Sequence, residues 1–293
     1  MEAARSSPSS RIPSVSTGYA TAPGSSANLG PGFDCVGLAV ELRCRVSARP
    51  ADRWTVTELG RTFEPAQTDL VRLVADKAVG RPLHLEIDND VPRSRGLGSS
   101  AAVMVATAAA AMRAAGEEPE SVGLYELVTD IEGHGDNAGA AVFGGLVAVA
   151  GGELRHLELS PELHFVFGVP DDRLRTSHAR SALPDQVPRA AAVRNAARLA
   201  FLVEGLRTGD PGALAQAGGD ELHEVYRSPL SPVTGELMAA AGQAGALHTS
   251  WSGAGPTALA IAFDPAPVAA AMEEVLERRG SVMVLDVART GWT

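Results

Sequence analysis

Apolar positions along this chain follow three patterns, and each predicts a different element. Leu83, Leu85 and Ile87 alternate with polar neighbours, the two-residue period of a half-buried strand. Leu70, Leu73, Val74 and Ala78 recur at helical spacing behind Asp69, so 69–79 is expected to be a helix with Asp69 near its start. From Ala101 the chain runs almost unbroken through alanine and other small apolar residues to Gly116. That predicts a central helix buried on most sides, because it has no distinct polar face. It is well short of the roughly 20 residues a membrane span needs and carries Arg113 near its end.

The same reading extends to the rest of the chain. Strands are expected at 17–23, 36–48, 53–58, 146–150, 154–159, 164–169, 246–250, 258–263 and 282–287, and Gly151-Gly152 marks a hairpin turn. Further helices are expected at 120–130, 189–206, 210–217, 232–241 and 266–279. The stretch PGSSANLGPGFDCVG, 23–37, reads as an irregular loop, and IEGHGDNAGAAVFGG as a glycine-rich approach to the strand at Leu146. The pattern is mixed α+β and changes near Pro170. We expect an amino-terminal domain over 17–165, a carboxyl-terminal domain over 166–293, and a disordered leader over 1–16, which lacks an apolar signal core.

Composition narrows the class. The 293 residues carry a formal net charge of −10, which argues against non-specific binding to nucleic acid or to an anionic membrane. The two cysteines, Cys35 and Cys44, do not make a disulfide scaffold, so a reducing cytoplasm is the expected compartment. The oligomeric state stays open, with a homodimer as the candidate.

Chemistry concentrates in three glycine-rich loops, 23–37, 93–100 and 250–257. Their convergence would suit a phosphate. In VPRSRGLGSSAA two glycines permit close backbone approach, Ser99 or Ser100 can cap the helix, and the helix start beside Arg93 and Arg95 can receive an anion. The lysine of a Walker P-loop is absent. Gly96, Gly98 and Ala101 match the dinucleotide pattern, but a polar VPRSR separates them from the strand before, and no acid ends a second strand at the expected distance, so NAD binding is rejected. Asp130, Glu132, His134, Asp136 and Asn137 crowd into eight residues, where a carboxylate can hold Mg²⁺ against phosphates. Zinc held by His134, Asp136 and His223 lacks compact ligand spacing. Arg180 and Arg227 can each grip a substrate carboxylate with a planar fork, although single arginines more often make surface ion pairs.

Taken in order, PGSSANLGPGFDCVGLAV, PRSRGLGSSAA, EGHGDN and SGAGPT resemble the homoserine kinases, members of the galactokinase, homoserine kinase, mevalonate kinase and phosphomevalonate kinase superfamily. TSHARSALP and DELHEVYR are similar to family segments as well. The resemblance covers the chain from Thr17 onward. It implies an amino-terminal domain like the second domain of a small-subunit ribosomal protein and a ferredoxin-like carboxyl-terminal domain. It also implies that ATP lies along Pro92, Arg93, Ser94, Arg95, Gly96, Leu97, Gly98, Ser99, Ser100, Ala101 and Ala102, with Mg²⁺ near Ser99, Ser100 and Glu132. L-Homoserine would meet Asn28, Asp34, His134, Arg180 and Arg227, with Asp136 and Asn137 shaping the pocket and Thr176 facing the reacting groups. Ser252, Gly253, Ala254 and Gly255 would support the site from the second domain.

The reaction so implied moves the γ-phosphoryl of ATP onto the side-chain hydroxyl of homoserine, with Asp34 chiefly orienting the substrate. A sister kinase for another small hydroxylated metabolite such as L-threonine is the alternative, and a catalytically inactive nucleotide-binding relative is a third reading. Two residues depart from expectation: Gly135 stands where the family has proline, loosening that loop, and Trp251 is bulkier than expected and would either narrow a pocket or pack between domains.

Overall fold

The computed structural model describes residues 17–293, so the expected leader at 1–16 lies outside the described residues. The strands are β1 (Gly18–Asn28), β2 (Gly32–Pro50), β3 (Thr55–Glu58), β4 (Arg61–Phe63), β5 (Leu83–Asn89), β6 (Leu146–Ala150), β7 (Glu153–Leu157), β8 (His164–Pro170), β9 (His248–Trp251), β10 (Ala258–Ala262) and β11 (Gly280–Leu285). The helices are α1 (Leu70–Val79), α2 (Ser99–Ala114), α3 (Ser121–Glu132), α4 (Asp136–Phe143), α5 (Thr176–Ser181), α6 (Arg189–Thr208), α7 (Pro211–Gln216), α8 (Glu224–Arg227), α9 (Pro232–Gln243) and α10 (Pro265–Leu276).

Two sheets carry this α+β fold. In the first, the order is β4-β3-β5-β2-β6-β7, and β1 pairs with β2 as a long antiparallel hairpin. The second, β11-β8-β10-β9, is antiparallel throughout and backed by α9 and α10 through Leu237, Ala241, Val268 and Met272. The tail returns to the first sheet, where Thr293 and Thr21 exchange backbone hydrogen bonds of 2.8 and 3.0 Å.

As the alanine run predicts, α2 lies in the centre. Thirteen of its 16 residues are buried, so its first turn is held rigidly wherever it points. Asp69 caps α1 by accepting from Val71 N–H. Two expectations need correcting. The stretch 23–37 is mostly strand, since β1 continues to Asn28 and β2 begins at Gly32. Gly30, at φ 82°, turns the chain between the two strands, while Gly37 serves close packing: a Cβ there would sit 2.3 Å from the Asp136 carbonyl oxygen. The approach to β6 contains the helix α4, whose Gly139 lowers helix propensity by about 1 kcal/mol yet allows Leu154 to pack directly against the backbone. The short helix α5 carries Thr176 and Arg180. No helix among the described residues is long and apolar enough to cross a membrane.

Candidate active site

The turn into α2 is built by left-handed glycines. Gly96 has φ 76° and Gly98 φ 65°, conformations that disfavour any side chain. A Cβ on Gly96 would lie 2.1 Å from the Ser252 carbonyl oxygen, and one on Gly98 2.0 Å from Ser25 Oγ. The N-cap is Gly98, with no side-chain cap, which corrects the expectation that Ser99 or Ser100 fills that role. Uncapped N–H groups at the start of a buried helix are donors in search of an anion.

The three glycine loops meet here. Ser25 N–H donates to the Leu97 carbonyl (3.0 Å), and Gly253 N–H to that of Ala27 (2.9 Å). Ser252 Oγ donates to the Gly96 carbonyl (2.7 Å), and Asn28 Nδ2 to that of Gly253 (2.8 Å). They surround a cavity of about 460 Å³. Pro92, Ser94, Gly96, Leu97, Gly98, Ser99 and Ser100 line it from the α2 turn, and Glu132, His134, Asp136 and Asn137 from the α3–α4 junction. Asn28, Asp34, Thr176, Arg180, Arg227, Gly253 and Ala254 complete the wall, together with Leu70, Met104, Ile131 and Ser177, which sequence reasoning did not single out.

Several expected residues stand behind or beside that wall. Ala101 and Ala102 are fully buried, leaving only their backbone for a phosphate. The guanidinium of Arg95 donates to the carbonyls of Pro170 (2.8 Å) and Asp171 (2.7 Å), bracing the second sheet rather than facing the cavity. Arg93 pairs with Glu58 and borders an adjoining pocket with Ser94, Ser99 and Ser100. Ser252 and Gly255 support the turn from behind, Ser252 through its Oγ bond to the Gly96 carbonyl and Gly255 through its N–H, which donates to the Ser252 carbonyl at 2.9 Å. Trp251 is buried against Leu174 and Ala179, and so packs behind α5 instead of narrowing the cavity.

At one side of the cavity, Arg180 grips Asp34 with two hydrogen bonds, Nη1 to Oδ2 at 3.0 Å and Nη2 to Oδ1 at 2.7 Å. Asp34 sits at φ 55°, its N–H donating to Asn28 Oδ1 (3.0 Å). Arg227 is almost wholly buried and donates to the Gly253 carbonyl (3.1 Å); burial and the Arg180 charge lower its pKa to about 10. Phe33 lies between the two guanidinium groups, 5.8 Å from Arg180 and 5.4 Å from Arg227. Phe33 was missed because an aromatic inside a glycine-rich motif gives no sign of what it will touch.

The acid cluster divides by partnering. His134 Nδ1 donates to Asp136 Oδ1 (2.6 Å), and the Asn137 N–H donates to the same oxygen (2.8 Å). Burial opposes charge on His134, but the bond to Asp136 and its negative charge outweigh it and raise the imidazole pKa. Among the described residues, Asp34, His134 and Asp136 are close enough to share a metal, yet Asp34 is already taken by Arg180, and His134 and Asp136 hold each other. Glu132 differs: Oε2 is buried without a hydrogen-bond partner, and burial raises its carboxyl to about 7, against the opposing pull of His134. Ser100 adjoins it and Ser99, whose Oγ accepts from Asn89 Nδ2 at 3.0 Å, lines the same cavity, so the three offer hard oxygen donors of the kind that suits Mg²⁺. His223, considered beforehand only for zinc, is buried and bonded to the Gly30 carbonyl, away from His134.

Comparison with known proteins shows the family of the chain. Residues 67–145 match the GHMP kinases N terminal domain and residues 202–281 the GHMP kinases C terminal domain. The homoserine kinase of Moorella thermoacetica is 38% identical over 272 residues, covering 88% of this chain and 92% of that enzyme. A homoserine kinase of Thermus thermophilus is 37% identical over 275 residues, covering 90% and 94%. The crystal structure of homoserine kinase from Cytophaga hutchinsonii superposes with a TM-score of 0.85 at 27% identity, covering 95% of this chain and 97% of that one.

Proposed function

This chain belongs to the homoserine kinases of the GHMP kinase family, and from that membership we propose that it transfers the γ-phosphoryl group of ATP to the side-chain hydroxyl of L-homoserine. The observation that carries the proposal is that the uncapped start of α2 and the Arg180–Asp34 pair face one cavity. One end is suited to phosphates and the other to an amino-acid zwitterion.

Backbone N–H groups from Gly96 to Ser100 receive the phosphates, and the buried helix behind them supplies a fixed positive end. Glu132, Ser99 and Ser100 would hold Mg²⁺, which neutralises phosphate charge when bound. On the acceptor side, Arg180 and Arg227 take the homoserine carboxylate and Asp34 its ammonium. The zwitterion thereby replaces the protein's own ion pair with two equivalent contacts and leaves the local charge balanced. Held at both ends, homoserine aims its hydroxyl oxygen at the γ-phosphorus; an O–P bond forms as the bond to the β,γ-bridging oxygen breaks, ADP leaves, and the hydroxyl proton is lost to solvent as the transfer completes. The loose transition state asks for alignment and charge neutralisation more than for early removal of the hydroxyl proton, so Asp34 orients rather than deprotonates. Both cysteines are free thiols, which fits action in a reducing cytoplasm.

The test is ATP-dependent phosphorylation of L-homoserine, L-threonine and L-serine, followed by mass spectrometry. We expect kcat/KM for homoserine to exceed that for threonine by at least about tenfold, the scale of one well-made buried contact. A preference for threonine reassigns the acceptor, and failure to bind Mg-ATP in calorimetry makes the protein an inactive relative.

A further inference from the structure

Beneath the acceptor end of the cavity, the segment Asp220–Arg227 buries four polar side chains, Asp220, His223, Glu224 and Arg227, of which the mechanism above uses only Arg227. Asp220 Oδ2 accepts from the backbone N–H groups of Leu222, His223 and Glu224 at 3.1, 2.7 and 2.8 Å, which pins the chain at the start of α8. His223 is fully buried there and makes two side-chain hydrogen bonds with opposite requirements. Its Nδ1 lies 3.1 Å from Arg227 Nη1, and its Nε2 lies 2.9 Å from the Gly30 carbonyl oxygen.

A guanidinium can only donate and a carbonyl can only accept. Nδ1 therefore presents a bare lone pair and Nε2 carries the proton, which leaves the ring neutral in a single tautomer. Burial acts in the same direction, lowering the imidazole pKa to about 4. The ring is further fixed by Phe33, stacked on it at 5.1 Å, one residue before Asp34. Arg227 depends on this bond: its Nε is buried with no partner, and its other hydrogen bond goes to the Gly253 carbonyl.

We propose that His223, in its neutral Nε2–H tautomer, is a positioning residue of the acceptor site. It ties the Arg227 guanidinium to the Gly30 carbonyl in the turn that leads to Asp34, and so sets the spacing between the group that receives the substrate carboxylate and the group that receives its ammonium. The inference rests on the reading that Arg227 meets that carboxylate. It accounts for a buried imidazole between the two segments, since a purely apolar filler would leave the Gly30 carbonyl unpaired and Arg227 Nη1 with only its bond to the Gly253 carbonyl.

The side-chain geometry of amides separates the two ends of the relay. Asparagine places an oxygen near Nδ1 and keeps the acceptor for Arg227; glutamine places an N–H near Nε2 and keeps only the donor to Gly30. We would measure KM for L-homoserine and for ATP in His223→Asn, His223→Gln, His223→Leu and Arg227→Lys, and in His223→Gln combined with Arg227→Lys. His223→Leu is expected to raise the homoserine KM at least about tenfold with the ATP KM within about twofold, as for loss of a hydrogen bond to a charged group. His223→Gln should lie at least about fivefold above His223→Asn, and should add less than about twofold to Arg227→Lys. Should the leucine variant not fold, the Asn and Gln variants decide alone. Equal homoserine KM values for Asn and Gln, or parallel changes in the ATP KM, overturn the positioning role. A homoserine KM unchanged in Arg227→Lys overturns instead the carboxylate reading on which it rests.

Discussion

Arg180 and Asp34, 146 residues apart in the chain, close on each other through two parallel hydrogen bonds of 3.0 and 2.7 Å at the wall of the cavity. Both side chains are about one-third exposed, so neither charge is sealed from an incoming ligand. A buried pair of this geometry would be too costly to open. A partly solvated one exchanges partners readily, because water and the zwitterion both compensate the separated charges.

From that pair follows the first prediction. Asp34→Asn keeps the shape and removes the charge, and should raise the homoserine KM about 10- to 100-fold while leaving the ATP KM nearly unchanged. The pH profile of kcat/KM should keep its acidic limb. Loss of that limb with little change in KM would assign proton removal to Asp34 instead.

The glycine turn is the least forgiving part of the site. Gly96→Ala sets a methyl group 2.1 Å from the Ser252 carbonyl oxygen, a backbone atom that cannot step aside, at φ 76°. We expect the left-handed strain alone to cost about 1–2 kcal/mol and the ATP KM to rise at least about tenfold. Thermal melting with and without nucleotide checks both; an unchanged nucleotide-induced shift would mean the turn does not carry the phosphates.

Gly135, where the resemblance leads one to expect proline, meets Tyr125: a Cβ there would lie 2.4 Å from Tyr125 Oη and 3.1 Å from the adjoining ring carbon. The tyrosine thus fills the space that a larger residue would need, which gives the departure a packing reason. Gly135→Ala should destabilise by about 1–3 kcal/mol, and Tyr125→Phe in the same chain should restore part of it by removing the oxygen. Strict additivity in chemical denaturation would show that the two residues do not share that space.

Glu224 supplies a pH prediction. Burial raises its carboxyl to about 8, with Asp220 adding and Arg227 opposing, while the Trp251 N–H donates to its Oε1 at 2.7 Å. A carboxyl whose folded pKa is raised stabilises fully below its unfolded value, near 4.5, and loses that contribution as pH rises through the folded value. Glu224→Gln keeps a neutral acceptor without the titration. The stability of the native chain relative to this variant should therefore decline between pH 4.5 and 8. A difference that stays flat across that range excludes the buried acid as its source.

Glu132→Gln tests the metal assignment. Removing the charge while keeping the size should raise the Mg²⁺ concentration for half-maximal activity at least about tenfold and lower kcat, with the homoserine KM little altered. An unshifted Mg²⁺ dependence would place the ion elsewhere.

Much of the local structure could be read from the chain because local physics decides it. The helical spacing behind Asp69, the alanine run of α2, the alternation of β5 and the Gly151-Gly152 hairpin each depend on residues a few positions apart. The motif loops were legible too, since few residue types tolerate such backbone. Tertiary packing decided the rest. Most of residues 23–37 became strand because β1 and β2 pair across that stretch, and Arg95 turned to the Pro170 carbonyl although its neighbours form the glycine turn. Arg180 found Asp34 across 146 residues of chain, and His223 found Gly30 across 193. Periodicity carries no record of such partners: it shows which face of an element is apolar, but the atom a polar side chain bonds depends on which distant segment the fold brings within about 3 Å.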